Sequence, residues 1–202
     1  MNKRSADQVI KHLAYHVNGD LWKRGRYDHQ SDRAYCVTHA LAAAEILGKQ
    51  NVTVPQIVWR KLHRTQLELH VPGKIVCTTD APQHAADFDL QFSAKQARPN
   101  DWVIVQIEKF GHIIDVEQAF KTAAQFATEV HALAAGGYTD GGCGDEGEHV
   151  IVLAQSVKLE HVVCCNNPEF LKTLTPSHRR KVLAFARKHT KHTYRNLKEA
   201  NK

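Results

Sequence analysis

The sequence predicts an α/β fold with a mainly parallel central sheet covered by helices on both faces. Three observations carry that prediction. Continuous apolar runs at Trp102–Ile107 and His161–Cys165 are bounded by turn residues, the pattern of strands buried on both faces. Segments with helical apolar spacing lie between the strand candidates, and strands alternating with helices favour parallel crossover units. At 202 residues, 43% of them hydrophobic and 24% charged, the chain has the material for one core of ordinary size.

The elements follow in order. Ser5 to Gln8 has a capping-box pattern opening a helix with Val9, Ile10, Leu13 and Val17 on one face, stopped at Asn18-Gly19-Asp20. Ala34–Val37 is a short strand, followed by a helix over Thr38–Leu47 that Gly48 ends. Val54-Pro55 opens a helix toward Leu62, and Lys74–Thr78 is a strand. Asp115 to Gln118 repeats the capping-box logic and opens a long helix to Ala135, which Gly136-Gly137 end. Tyr138–Gly144 is a glycine-rich loop, Glu146–Val157 a helix and Asn166-Asn167-Pro168 a turn. Thr175-Pro176 caps a last helix through Ala186. The expected organisation is an N-terminal helix and polar connector over 1–33, one α/β domain over 34–190 with an insertion about 63–100, and a basic tail over 191–202.

Composition restricts the function classes. No run reaches the roughly 18 to 20 apolar residues that span a bilayer. The N-terminus reads as an amphipathic helix rather than a signal peptide. Five cysteines, two of them adjacent, make a poor disulfide framework, so the expected location is the reducing cytoplasm. The formal net charge is +6, and from Lys172 to Lys202 ten Lys or Arg face one acid, Glu199. Arg179, Arg180, Lys181, Arg187, Lys188, Lys191 and Arg195, with His178, His189, His192 and Tyr194 interleaved, supply cations for phosphates and rings for stacking. RNA or DNA is the expected partner, with a solvated helix face as the plain alternative.

Three constellations carry candidate chemistry. Asp145, Glu146 and Glu148 crowd three carboxylates where a glycine-rich loop enters a predicted helix. Helix capping explains carboxylates there. Mutual repulsion also favours a hard cation such as Mg²⁺ or Mn²⁺, held by Asp145 and Glu148. Cys36, just before a predicted helix, with His112 as base and Asp115 as orienter, is the order of a thiol hydrolase or transferase; a buried cysteine beside a helix cap is the plain reading. Cys143, His149, Cys164 and Cys165 form a third set, for structural zinc, without the usual Cys-x-x-Cys spacing.

The run DEGEHVIVLAQSVKLEHVVCCNN resembles the C-terminal half of a PIN-like nuclease domain, and AYCVTHALAAAEIL with VTVPQIVWRKL is similar to that family's first strand, first helix and Val-Pro helix. The resemblance spans 34–190 loosely. It implies a three-layer sandwich, metal-dependent RNA cleavage with Asp145, Glu146 and Glu148 as catalytic residues, and a toxin with an antitoxin-like protein partner. Three of the family's acidic positions fall on Val37, Lys61 and the Asn166-Asn167 pair. Two-metal chemistry needs several carboxylates, so a degenerate, non-catalytic binding module is the accompanying expectation.

Overall fold

A computed structural model describes residues 1–18, 29–48, 55–88, 101–141 and 147–199. The chain divides into two compact units. The first comprises 1–55, 75–78 and 111–152; the second comprises 56–74, 79–110 and 153–202.

The first unit opens with α1 (Lys3–Asn18) and α2 (His29–Leu47). The Asn2 side chain accepts the Ser5 backbone N–H at 2.9 Å, so the cap lies three residues ahead of the expected one. Ala6, Val9, Ile10 and Leu13 recur at helical spacing and are buried. Val9, Ile10 and Leu13 meet Ala40, Ala43 and Leu47 of α2 and Val116, Ala119, Phe120 and Ala123 of α4 (Val116–Ala124) in one apolar core. Asp115 caps α4 as expected, its carboxylate accepting from the Gln118 N–H at 2.8 Å. The expected long helix breaks after α4. Thr128 turns its backbone N–H and hydroxyl to the Asp7 carboxylate, and α5 (Glu129–Gly141) starts beyond it. Gly136-Gly137 do not end α5, because Tyr138, one residue later, stacks on Phe120 with ring centroids 5.1 Å apart. Strands β2 (Ile75–Thr79), β4 (Phe110–Asp115) and β5 (Glu148–Leu153) lie in the order β4-β5-β2.

The second unit contains β1 (Val58–His63), β3 (Trp102–Ile107) and β6 (Val162–Cys165), in the order β1-β3-β6. Its helices are α3 (Pro82–Asp87), α6 (Pro168–Thr173), α7 (Pro176–His189) and α8 (Lys191–Glu199). Residues 58 to 63 pair in register with 107 to 102, from Val58↔Ile107 to His63↔Trp102. Trp59 also pairs with Thr79, and Val103 with Cys165 across a bulge-containing ladder.

These pairings are antiparallel, which corrects the expected mainly parallel sheet and the PIN-like three-layer sandwich built on it. The error traces to three segments. The apolar run after Gly147 was expected to be helical but forms β5. The stretch toward Leu62 forms β1 instead of a helix. Ala34–Val37 lies within α2 instead of forming a strand. A short apolar run has no periodicity that separates a buried strand from a buried helix. In β5 the β-branched residues Val150, Ile151 and Val152 fit the pleated surface better than a helix. With a helix placed there, the sequence reads as alternating strands and helices, which parallel crossovers need; without it, that alternation is lost.

Candidate metal centre

His16 lies on α1 one turn beyond Leu13, on the stripe that carries Val9, Ile10 and Leu13 into the core, and is 6% exposed. An imidazole at a core position needs polar partners, and two other elements of the first unit supply them. Gly147 enters β5 at φ 55°, a left-handed conformation that costs other residues roughly 1–2 kcal/mol. The turn delivers Glu148, the first residue of β5, to within 3.1 Å of His16 Nε2 through its Oε1. Cys77 is the middle residue of β2, and its Sγ lies 4.0 Å from the same nitrogen. Strand β2 is tied to β5 nearby, where the Thr78 hydroxyl donates to the His149 carbonyl at 3.1 Å.

The three ligand atoms lie within 4.8 Å of one another. Among the described residues, these three are the one group of three or more His, Cys, Asp or Glu side chains that could hold a metal ion. Around a tetrahedral zinc with bonds of about 2.0 to 2.3 Å, nitrogen and oxygen ligands sit about 3.3 Å apart and nitrogen and sulfur about 3.6 Å. The observed 3.1 Å and 4.0 Å bracket those values.

Electrostatics at the cluster agree with a need for positive charge. Burial alone would lower the His16 pKa, but hydrogen bonds and charge from Cys77 and Glu148 outweigh it and hold the imidazole well above the ordinary histidine value. Burial likewise works to raise Glu148, and His16 outweighs it, leaving the carboxyl below the ordinary carboxylate value. The Glu148 side chain retains 21% exposure against 2% for His16, and Cys77 is half-buried as well, so the cluster opens on the side of its carboxylate and thiol. Beside it His12 and His39 bring their Nδ1 atoms to 2.7 Å, and Tyr15 stacks on His39. Burial is the first cause lowering both imidazoles, followed by Lys11 for His12 and by His12 and His16 for His39.

The predicted site residues have varied fates. Glu148 is at the cluster, on a strand rather than a helix, while Asp145, Glu146 and Cys143 fall outside the described residues. Cys36 lies well inside α2, as its eighth residue, not ahead of a helix as expected. That removes the dipole argument for a lowered thiol pKa, since only the first turn has unpaired N–H groups. The side chains of Cys36 and His112 are also outside the described set, and Asp115 caps α4. Cys164 and Cys165 belong to the second unit and His149 to the first. Burial pushes both thiols up to about 12, which keeps them protonated at neutral pH.

Two of the three positions where the PIN-like pattern expects acids do structural work in the second unit, while the side chain of the third, Val37, lies outside the described residues. Lys61 Nζ donates to the Ala86 and Phe88 carbonyls and lies 4.4 Å from the Trp102 ring centroid. Asn166 accepts the Trp102 N–H, and Asn167 caps α6 by accepting from Glu169 and Phe170. His16 and Cys77 lie outside the three constellations expected from sequence. The available signal for His16 was a histidine on the apolar stripe of an amphipathic helix; Cys77 carried none beyond being a cysteine in a predicted strand. Among the described residues, no helix is long and apolar enough to cross a membrane. Comparison with known protein families, curated proteins and solved structures finds nothing that matches this chain.

Proposed function

We propose that the first unit is a metal-dependent hydrolase module that holds one zinc-class divalent ion at His16, Cys77 and Glu148. One observation carries this reading: the Cys77 sulfur and the Glu148 oxygen both face the same nitrogen, His16 Nε2. A thiol relay would place thiol and carboxylate on opposite ring nitrogens, so that the imidazole takes a proton from one and is oriented by the other. Three donors converging on one point are arranged for a cation instead.

The donor chemistry selects the metal. Mg²⁺ and Mn²⁺, the ions expected from the acidic segment, favour oxygen donors, whereas thiolate with imidazole suits zinc. Three protein donors leave one tetrahedral position for water, the pattern of catalytic rather than structural zinc sites. Zinc supplies Lewis acidity there and brings the pKa of bound water to about 7. In this chain His16 would surrender its proton and bind through Nε2. Cys77 would bind as thiolate, and Glu148, on the exposed side, would complete the set beside the vacant position. Loading is therefore coupled to proton release and weakens at acid pH.

The test is zinc stoichiometry and affinity of purified, metal-stripped protein, by elemental analysis and titration against a chromophoric chelator. The expected result is one zinc per chain, abolished by His16→Ala and weakened at least tenfold by Cys77→Ser, with both variants folded by circular dichroism. Zinc bound equally by both variants, or by none of the three proteins, would leave a buried histidine–carboxylate pair of purely structural meaning.

A further inference from the structure

Helices α7 and α8 of the second unit present a row of cations whose neutralising partners are absent from the described residues. Val182 and Ala186 turn inward and are fully buried, so Arg180, Lys181, Arg187 and Lys188 share the outward, exposed face of α7. The two pairs are seven residues apart, two turns along the helix and about 10 Å. Lys191 and Arg195 extend the row onto α8, both exposed.

The fold sorts the basic residues of this segment into two kinds. Arg179 is a structural group, donating to the Lys172 and Leu174 carbonyls at the end of α6, and Lys172 pairs with Glu169 at 2.8 Å. Among the described residues, Arg180, Lys181, Arg187, Lys188, Lys191 and Arg195 form no side-chain hydrogen bond or ion pair. Arg187 and Lys188 gain from the helix dipole at the C-terminal turn. Arg180 and Lys181 lie one turn into α7, which has no acid in its first turn, beyond the reach of the dipole. Four unneutralised cations on one helix face form a patch that complements a polyanion.

We infer that the outward face of α7 and α8 binds the phosphodiester backbone of a nucleic acid, independently of the metal centre. An anionic membrane is the weaker occupant, because a surface-seeking helix exposes Trp, Phe or Leu beside its cations. Here the exposed large hydrophobic residues lie elsewhere, and Leu197 of α8 is buried. Binding is through the backbone, with little sequence preference and a strong dependence on salt.

The experiment is fluorescence anisotropy of the full chain with a labelled single-stranded RNA 20-mer and a DNA duplex of equal length, across a salt series. Sedimentation with phosphatidylserine vesicles forms a parallel arm. Arg180→Gln, Lys181→Gln, Arg187→Gln and Lys188→Gln are combined in one variant, and the exposed Lys3, Arg4, Lys11 and Lys109 are changed to Gln in a control of equal charge. The wild type binds RNA or DNA at low salt. The α7 variant loses at least tenfold, and its log–log salt slope becomes shallower by about 3, while the control stays within about twofold to threefold. The pair Arg187→Gln with Lys188→Gln gives an intermediate loss should the fourfold variant fail to fold. No binding at low salt, equal losses in both fourfold variants, or capture by vesicles alone would overturn the inference.

Discussion

At the scale of single residues, the cluster depends on His16 standing where a leucine would satisfy packing. Its ring is drawn into the core by its α1 neighbours, and its charge is answered by Glu148 and Cys77. Glu148→Gln keeps the shape and removes the charge, so zinc affinity should fall by more than about 100-fold, beyond the 10- to 100-fold typical of residues supporting a ligand. Competitive chelator titration measures it, and an affinity unchanged by the substitution would remove Glu148 from the ligand set. Cys164 and Cys165 behave in the opposite way. With burial pushing both thiols to about 12, iodoacetamide at pH 8 should leave them unmodified in the native protein and label them after denaturation, as read by mass spectrometry. The sign of the linked stability follows: the unfolded thiols, near 9.0, release protons first, so stability is intact below pH 9 and declines as pH rises toward 12.

At the scale of elements, local chemistry was legible wherever a side chain acts on its own backbone. Asp115 and Thr175 were read from sequence as caps and serve as caps; Asn167, placed in a turn, caps α6. Trp102–Ile107 was read as a strand and forms β3. Asn167→Ala should cost about 1 kcal/mol through loss of the α6 cap, measurable by urea denaturation of the second unit. Elements decided by remote contacts were not legible. The run from Glu148 to Leu153 is short and apolar, and its strand identity comes from pairing rather than from its own period. Gly147 was read as part of a helix start, yet its positive φ belongs to a turn into β5.

At the scale of the whole molecule, direction of pairing and assembly of the site are long-range properties. His16 is 132 residues from Glu148 and 61 from Cys77, so no motif spacing could join them. The acidic segment did contain one member, Glu148, but proximity in sequence suggested Asp145 and Glu146 as its partners. Zinc at the proposed site would join α1, β2 and β5, three segments that chain entropy otherwise separates, and a ligand that binds only the folded state stabilises it. At 100 times its dissociation constant zinc should add about 2.7 kcal/mol to the first unit. For a chain of this size that raises its melting temperature by about 5 to 10 °C, reversibly with chelator, in scanning calorimetry.

The most direct measurement of the metal centre is the absorption spectrum of the metal-stripped protein titrated with Co²⁺, which reports ligand type and geometry together. The expected result is saturation at one equivalent, intense visible bands of a tetrahedral site, and a near-ultraviolet sulfur-to-cobalt band that Cys77→Ser removes. A weak octahedral spectrum like that of aqueous cobalt, identical in wild type and Cys77→Ser, would contradict it.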